Sequence, residues 1–176
     1  MREDVIAATR RWIESAVLGL KLCPFAPAPY IADRVRIVVS EHALLSSLLG
    51  EVKREARELL TGESVETTLI VYEHALGDFG DYERFFNAAE AELRERGLGS
   101  DLALASFHPD YVFDDSDPAD VANATNRSPY PILHLIRESS LERARAAGDT
   151  DLIWQRNVRT MRALGAAGWD ALRDSA

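Results

Sequence analysis

Residues 34–72 read RVRIVVSEHALLSSLLGEVKREARELLTGESVETTLIVY. The stretch opens and closes on short β-branched runs, Arg34 to Ser40 and Thr67 to Tyr72, with the length and composition of strands. Between them Leu45, Leu48, Leu49, Val52, Ala56, Leu59 and Leu60 recur at helical spacing, with Lys53, Arg54 and Glu55 opposite. Gly62 marks the helix stop. A strand, a helix and a strand at this length form a crossover unit, which favours right-handed connection and parallel pairing.

The same pattern extends outward in both directions. Downstream, Asp78 or Asp81 caps a helix that buries Tyr82, Phe85, Phe86, Ala89 and Leu93, and Gly97 and Gly99 close it. Leu102 to His108 is a third strand, 109–129 a polar connection, and Ile132 to Arg137 a fourth strand. Ser139-x-x-Glu142 reads as a capping box for a short helix. A last helix is expected over Thr150 to Leu164 with Trp154, Val158 and Met161 inside, then a turn with Trp169 and Leu172. Upstream, residues 3–20 form an amphipathic helix on which Val5, Trp12, Ile13, Ala16, Val17 and Leu20 share a face, and Gly19 weakens its end. LCPFAPAPY (22–30) carries three prolines and is expected to lie extended over the domain.

The predicted class is α/β: a single domain over 1–176 with a four-stranded, mostly parallel sheet. Its core is βαβαββα, flanked by helices, with an extra N-terminal helix. Strands one to three are expected to be parallel, and the direction of strand four stays open. The order of elements is that of a thioredoxin-like fold, by analogy only. The CxxC of that fold is absent, and Cys23 precedes the first strand.

A chain of 176 residues, 47% hydrophobic, suffices for one core and makes two domains a poor fit. Net charge is −9, and residues 73–120 concentrate it with 13 acids against 3 bases. An acidic chain without a basic stripe is a poor match for nucleic acid. No apolar run is long enough to span a bilayer and no signal peptide is legible, so a cytoplasmic protein with no membrane partner is expected. One cysteine allows no internal disulfide. The oligomeric state is not legible.

Apart from Cys23, the chemistry-bearing residues cluster between 108 and 137. In LASFHPDYVF (104–113), His108 and Asp110 share a direction if the strand persists past Phe107. They would then stand at the carboxyl end of a strand, where α/β sheets gather ligands. His134 lies inside strand four; beside strand three it would complete a 2-His-1-carboxylate set of His108, Asp110 and His134 for a divalent metal such as iron or zinc. The alternative is that His108 ends a strand and His134 bonds a backbone carbonyl. Cys23 is either a nucleophile or a buried structural thiol, and a preceding helix C-terminus disfavours its thiolate. Asn123, Asn126 and Arg127 are placed by Pro129 and Pro131 to receive a carboxylate or phosphate, or else close turns and pair with nearby acids. Arg137 faces opposite to His134 on the same strand and is a further anion-binding candidate. Asp114, Asp115, Asp117 and Asp120 lack the Gly and terminal Glu of an EF-hand.

GLKLCPFA (19–26), RVRIVVSE (34–41), ETTLIVYEHALGDFGDY (66–82), ASFHPDYVF (105–113) and TNRSPYPILHLIRESSLERA (125–144) together resemble the bacterial DUF1415 family. The likeness spans roughly residues 6–165. It implies a bacterial cytoplasmic domain whose signature segments hold Cys23, His108, Arg127, His134 and Arg137. Asp114-Asp115-Ser116 departs from the small residues such as Gly that the family carries there.

Three functions stay open on these residues. The first is a small-molecule enzyme in which His108 and His134 bind a metal or act as acid and base, Asp110 assists, Arg127 anchors an anionic group and Cys23 lines the wall. The second is a non-catalytic module that binds an anionic metabolite or docks a basic partner. The third is a thiol enzyme using Cys23.

Overall fold

In the computed structural model, which describes residues 2–146 and 152–174, the N-terminal helix begins as α1 (Arg2–Trp12) and continues into a π-helical turn at Ile13–Leu18. There the Gly19 N–H reaches the Glu14 carbonyl at 3.0 Å and the Leu22 N–H reaches the Val17 carbonyl at 2.9 Å, five residues back instead of four. Val5, Trp12, Ile13 and Ala16 are buried, as their spacing predicts. The proline segment departs from the extended expectation. Pro27 opens a short helix, α2 (Pro27–Ile31), because a proline in the first turn removes an N–H that has no helical acceptor anyway.

The remaining elements are β1 (Val35–Val39), α3 (Leu45–Thr61), β2 (Thr67–Val71), α4 (Phe79–Glu95), β3 (Leu102–Phe107), a 3-10 helix at Val121–Asn126, β4 (Ile132–Arg137), α5 (Glu138–Ala146) and α6 (Ile153–Asp174). Asp78 caps α4, accepting from the Asp81 N–H at 2.9 Å. Ser139 is not a cap: α5 starts at Glu138, directly from β4, so Ser139 falls within its first turn. The expected helix start at Thr150 lies outside the described residues. Met161 is buried, but Trp154 is 61% exposed. Trp169 and Leu172 belong to α6 itself, beyond a break at Gly165, whose φ of 73° suits glycine.

The crossover of residues 34–72 holds, with β1 and β2 parallel and Val35 opposite Thr67. The sheet is not mostly parallel, however. Its order is β1-β2-β4-β3, and β4 runs antiparallel to both neighbours. β1, β2 and β3 do point the same way, but β4 separates the last two. Composition explains the placement: Ile132, Leu133 and Leu135 are fully buried, which requires cover on both faces, whereas β3 carries Ala103, Ala105 and Ser106 and suits an edge.

Each face of the sheet has its own core. One packs Ile70, Leu102, Leu133 and Leu135 against Leu48, Val52, Leu59, Phe85 and Leu93 of α3 and α4. The other packs Leu69, Val71 and Ile132 against Trp12, Ile13 and Ala16 of the N-terminal helix and Met161 of α6. Glu55, expected on the outer face of α3, is 2% exposed. It is held by Arg36, 3.2 Å away, and Arg54, 3.3 Å away, which makes burial of its carboxylate tolerable.

Candidate functional site

β3 ends at Phe107, and this decides where its histidine goes. Pro109 supplies the fixed φ for a turn, closed by the Tyr111 N–H to the His108 carbonyl at 3.2 Å. Extension therefore stops before Asp110. The Asp110 N–H donates to His108 Nδ1 at 3.0 Å, and His108 Nε2–H donates to the Leu76 carbonyl at 3.0 Å. Both ring nitrogens are thus occupied by backbone. The ring is fully buried between Phe79 and Tyr82, each with its centroid 5.2 Å away. Burial lowers its pKa, against the opposing pull of the Leu76 carbonyl and the charges of Asp110 and Asp78.

His134 sits on the other face. It is opposite Ala105 of β3 and Leu69 of β2, whereas Ser106 and His108 alternate away from Ala105. The metal set His108, Asp110 and His134 is therefore not assembled. Asp110 is exposed, and His108 has no lone pair left for a metal. Among the described residues no three His, Cys, Asp or Glu side chains are grouped so as to hold a metal ion.

The anion-binding candidates are occupied as well. Asn123 is fully buried, accepting from the Phe113 N–H at 3.0 Å and donating to the Asp117 carbonyl at 2.8 Å. Asn126 donates to the Ser106 carbonyl at 3.1 Å. Arg127 donates to the carbonyls of Tyr111, at 3.2 Å, and Pro118, at 3.3 Å. Arg137 donates to the carbonyls of Val65, Leu59 and Gly62, the last two at the C-terminal end of α3. These side chains fasten loop 109–129 and a helix end to the sheet.

Two candidates remain, and the structure brings them to one place. Cys23 and His134 both line a hollow of about 720 Å³ on the face under the N-terminal helix. Its floor is Val35, Thr67, Leu69, Ala105, His134 and Ile136 of the sheet. Trp12, Ile13 and Val17 form one wall, the 23–30 segment another, and Leu141 and Ile153 a third. Glu66, Arg143 and Arg156 bring charge to the lining. Trp12 is anchored by its indole N–H to the Arg127 carbonyl at 2.9 Å, and its ring meets Phe107 edge to face at 5.1 Å.

The electrostatics of the pair are informative. Burial alone pushes the His134 pKa down to about 4, so the ring is neutral at physiological pH. Burial raises the Cys23 thiol, opposed by hydrogen bonds from the Phe25 and Ala26 amides and by the charge of Arg156. The amides of the 23–30 turn and the Arg156 charge thus favour a thiolate, but burial outweighs them and the thiol is pushed up. A neutral thiol and a neutral imidazole line the hollow.

Thr67, the hydroxyl partner of His134, was not singled out by sequence. Its one signal was a pair of threonines, Thr67 and Thr68, opening an apolar run. Nothing in the sequence sets Arg143 and Arg156 apart from the other charges of their helices.

Residues 4–171 match the model of a protein family of unknown function, DUF1415. The chain belongs to that family. No curated protein and no solved structure matches it. Among the described residues no helix is long and apolar enough to cross a membrane.

Proposed function

We propose that this DUF1415 protein binds a small organic molecule in the cavity beneath its N-terminal helix. The observation that carries this reading is a mostly apolar hollow of about 720 Å³ with Cys23 and His134 in its wall. Natural ligand sites have this size and makeup, a greasy lining with a few convergent polar groups. The test is titration with 8-anilinonaphthalene-1-sulfonate (ANS), which brightens in apolar pockets. Saturable enhancement by the folded protein is expected, weakened by Ala105→Phe in the floor and by Ala28→Trp in the wall. Enhancement indifferent to both changes would remove the reading.

Thiol chemistry at Cys23 is the second reading, supported by the two amides and the Arg156 charge directed at its sulfur. With His134 neutral, no imidazolium from that ring stabilises a thiolate at Cys23, so the cavity is a binding site first. His108 and Asp110 take no part in either reading.

A further inference from the structure

The cavity reading leaves the ligand's chemistry open, and the hydrogen bonding of His134 narrows it. The Thr67 hydroxyl has a single proton, which it donates to the Leu135 carbonyl at 2.8 Å. A carbonyl only accepts, so that proton is fixed. Thr67 Oγ1 also contacts His134 Nε2. Since the hydroxyl proton is already placed, the ring must donate: Nε2 carries the hydrogen and Nδ1 carries the lone pair. Among the described residues no protein group donates to Nδ1. An unmet acceptor in an apolar hollow calls for a donor from whatever occupies it.

The floor is also the wrong place for a negative charge. A neutral imidazole presenting its lone pair repels an anion, and Leu69, Ala105, Phe107 and Ile136 around it supply no donor. Cationic donors lie elsewhere in the lining. Arg143 is 67% exposed, and its guanidinium reaches Ser140 at 3.0 Å and Glu66 at 3.6 Å. Arg156 gives one N–H to the Lys21 carbonyl at 3.1 Å. A guanidinium has five N–H groups, so among the described residues both keep donors free. Glu66 is itself paired with Arg34 at 2.8 Å, which limits its repulsion of an anion.

Resting on the cavity reading, we infer that the ligand is an amphipathic carboxylic acid whose apolar body carries a neutral hydrogen-bond donor. The donor, a hydroxyl or an amide N–H, meets His134 Nδ1, and the carboxylate is held at the exposed end by Arg143 and Arg156. His134 is then the residue that sets specificity.

The test uses two rigid fluorescent acids, 6-hydroxy-2-naphthoate and 2-naphthoate, which differ only in a donor at the end remote from the carboxylate. The hydroxy acid is expected to bind about tenfold tighter to the unaltered protein, the worth of one well-made hydrogen bond. In His134→Phe the two affinities converge, and in His134→Gln, which keeps an acceptor, part of the preference returns. Arg143→Ala with Arg156→Ala weakens both acids together and leaves their ratio unchanged. Equal affinities in the unaltered protein, a preference that survives His134→Phe, or failure of both acids to bind while ANS still binds in the cavity would overturn the inference alone. ANS binding that ignores Ala105→Phe and Ala28→Trp overturns the cavity reading beneath it.

Discussion

The two faces of the sheet hold one histidine each, and they handle it in opposite ways. Against α3 and α4 the packing is closed: Ile70, Leu133, Leu135 and His108 are all fully buried, and both His108 nitrogens are bonded to backbone. Against the N-terminal helix, Val35, Ile37, Ala105, Phe107, His134 and Ile136 are only partly covered. A filled face uses polar groups to hold itself together. A face left hollow keeps one polar group available to something else.

The largest expected effect separates the faces by stability. Leu135→Ala, on the filled face, is expected to cost about 3 kcal/mol by transfer and cavity terms together. Ile136→Ala, one residue along and facing the hollow, should cost no more than about 1 kcal/mol. Urea unfolding of the two variants checks this, and equal losses would break the contrast.

The histidines sharpen it next. An unfolded imidazole takes a proton near 6.5, whereas folded His134 takes one only near 4. Between those values the unfolded chain holds more protons, so stability declines as pH falls. From pH 7 to pH 5 this amounts to at most about 2 kcal/mol, less whatever water in the cavity screens. His108 is shifted in the same direction and adds to the slope. His134→Leu should therefore flatten the pH dependence of unfolding without abolishing it; an unaltered slope would show that water in the hollow already screens the ring.

The smallest effect concerns the thiol. Burial holds Cys23 protonated, so iodoacetamide at neutral pH should label the native protein several-fold more slowly than the unfolded chain. Rapid native labelling would instead favour the thiol-enzyme reading and make the hollow face chemically active.

Periodicity made the elements legible, because each face repeats at 3.6 or 2 residues. β4 came out at Ile132–Arg137, and Asp78 proved a true cap. Pairing was not legible. A tight hairpin fixes register, but residues 109–129 are far too long to do so. The metal hypothesis turned on that register: a slip of one residue between β3 and β4 would have set His134 opposite Ser106, on the face of His108. Arg127, Arg137, Asn123 and Asn126 were conspicuous in the sequence for their donors. Nothing in their spacing told that backbone carbonyls would take those donors up. Cys23 and His134 lie 111 residues apart in the chain, so only the folded sheet joins them at one cavity.

The central place of β4 also has a consequence for how the chain assembles. Translation delivers β1, β2 and β3 first, and two of them must wait with an open inner edge for a strand that ends at Arg137. Until then those edges offer unpaired amides to any passing strand. Chains cut short before residue 132 should therefore clump rather than form a smaller native domain, and a holding chaperone would matter most in that interval.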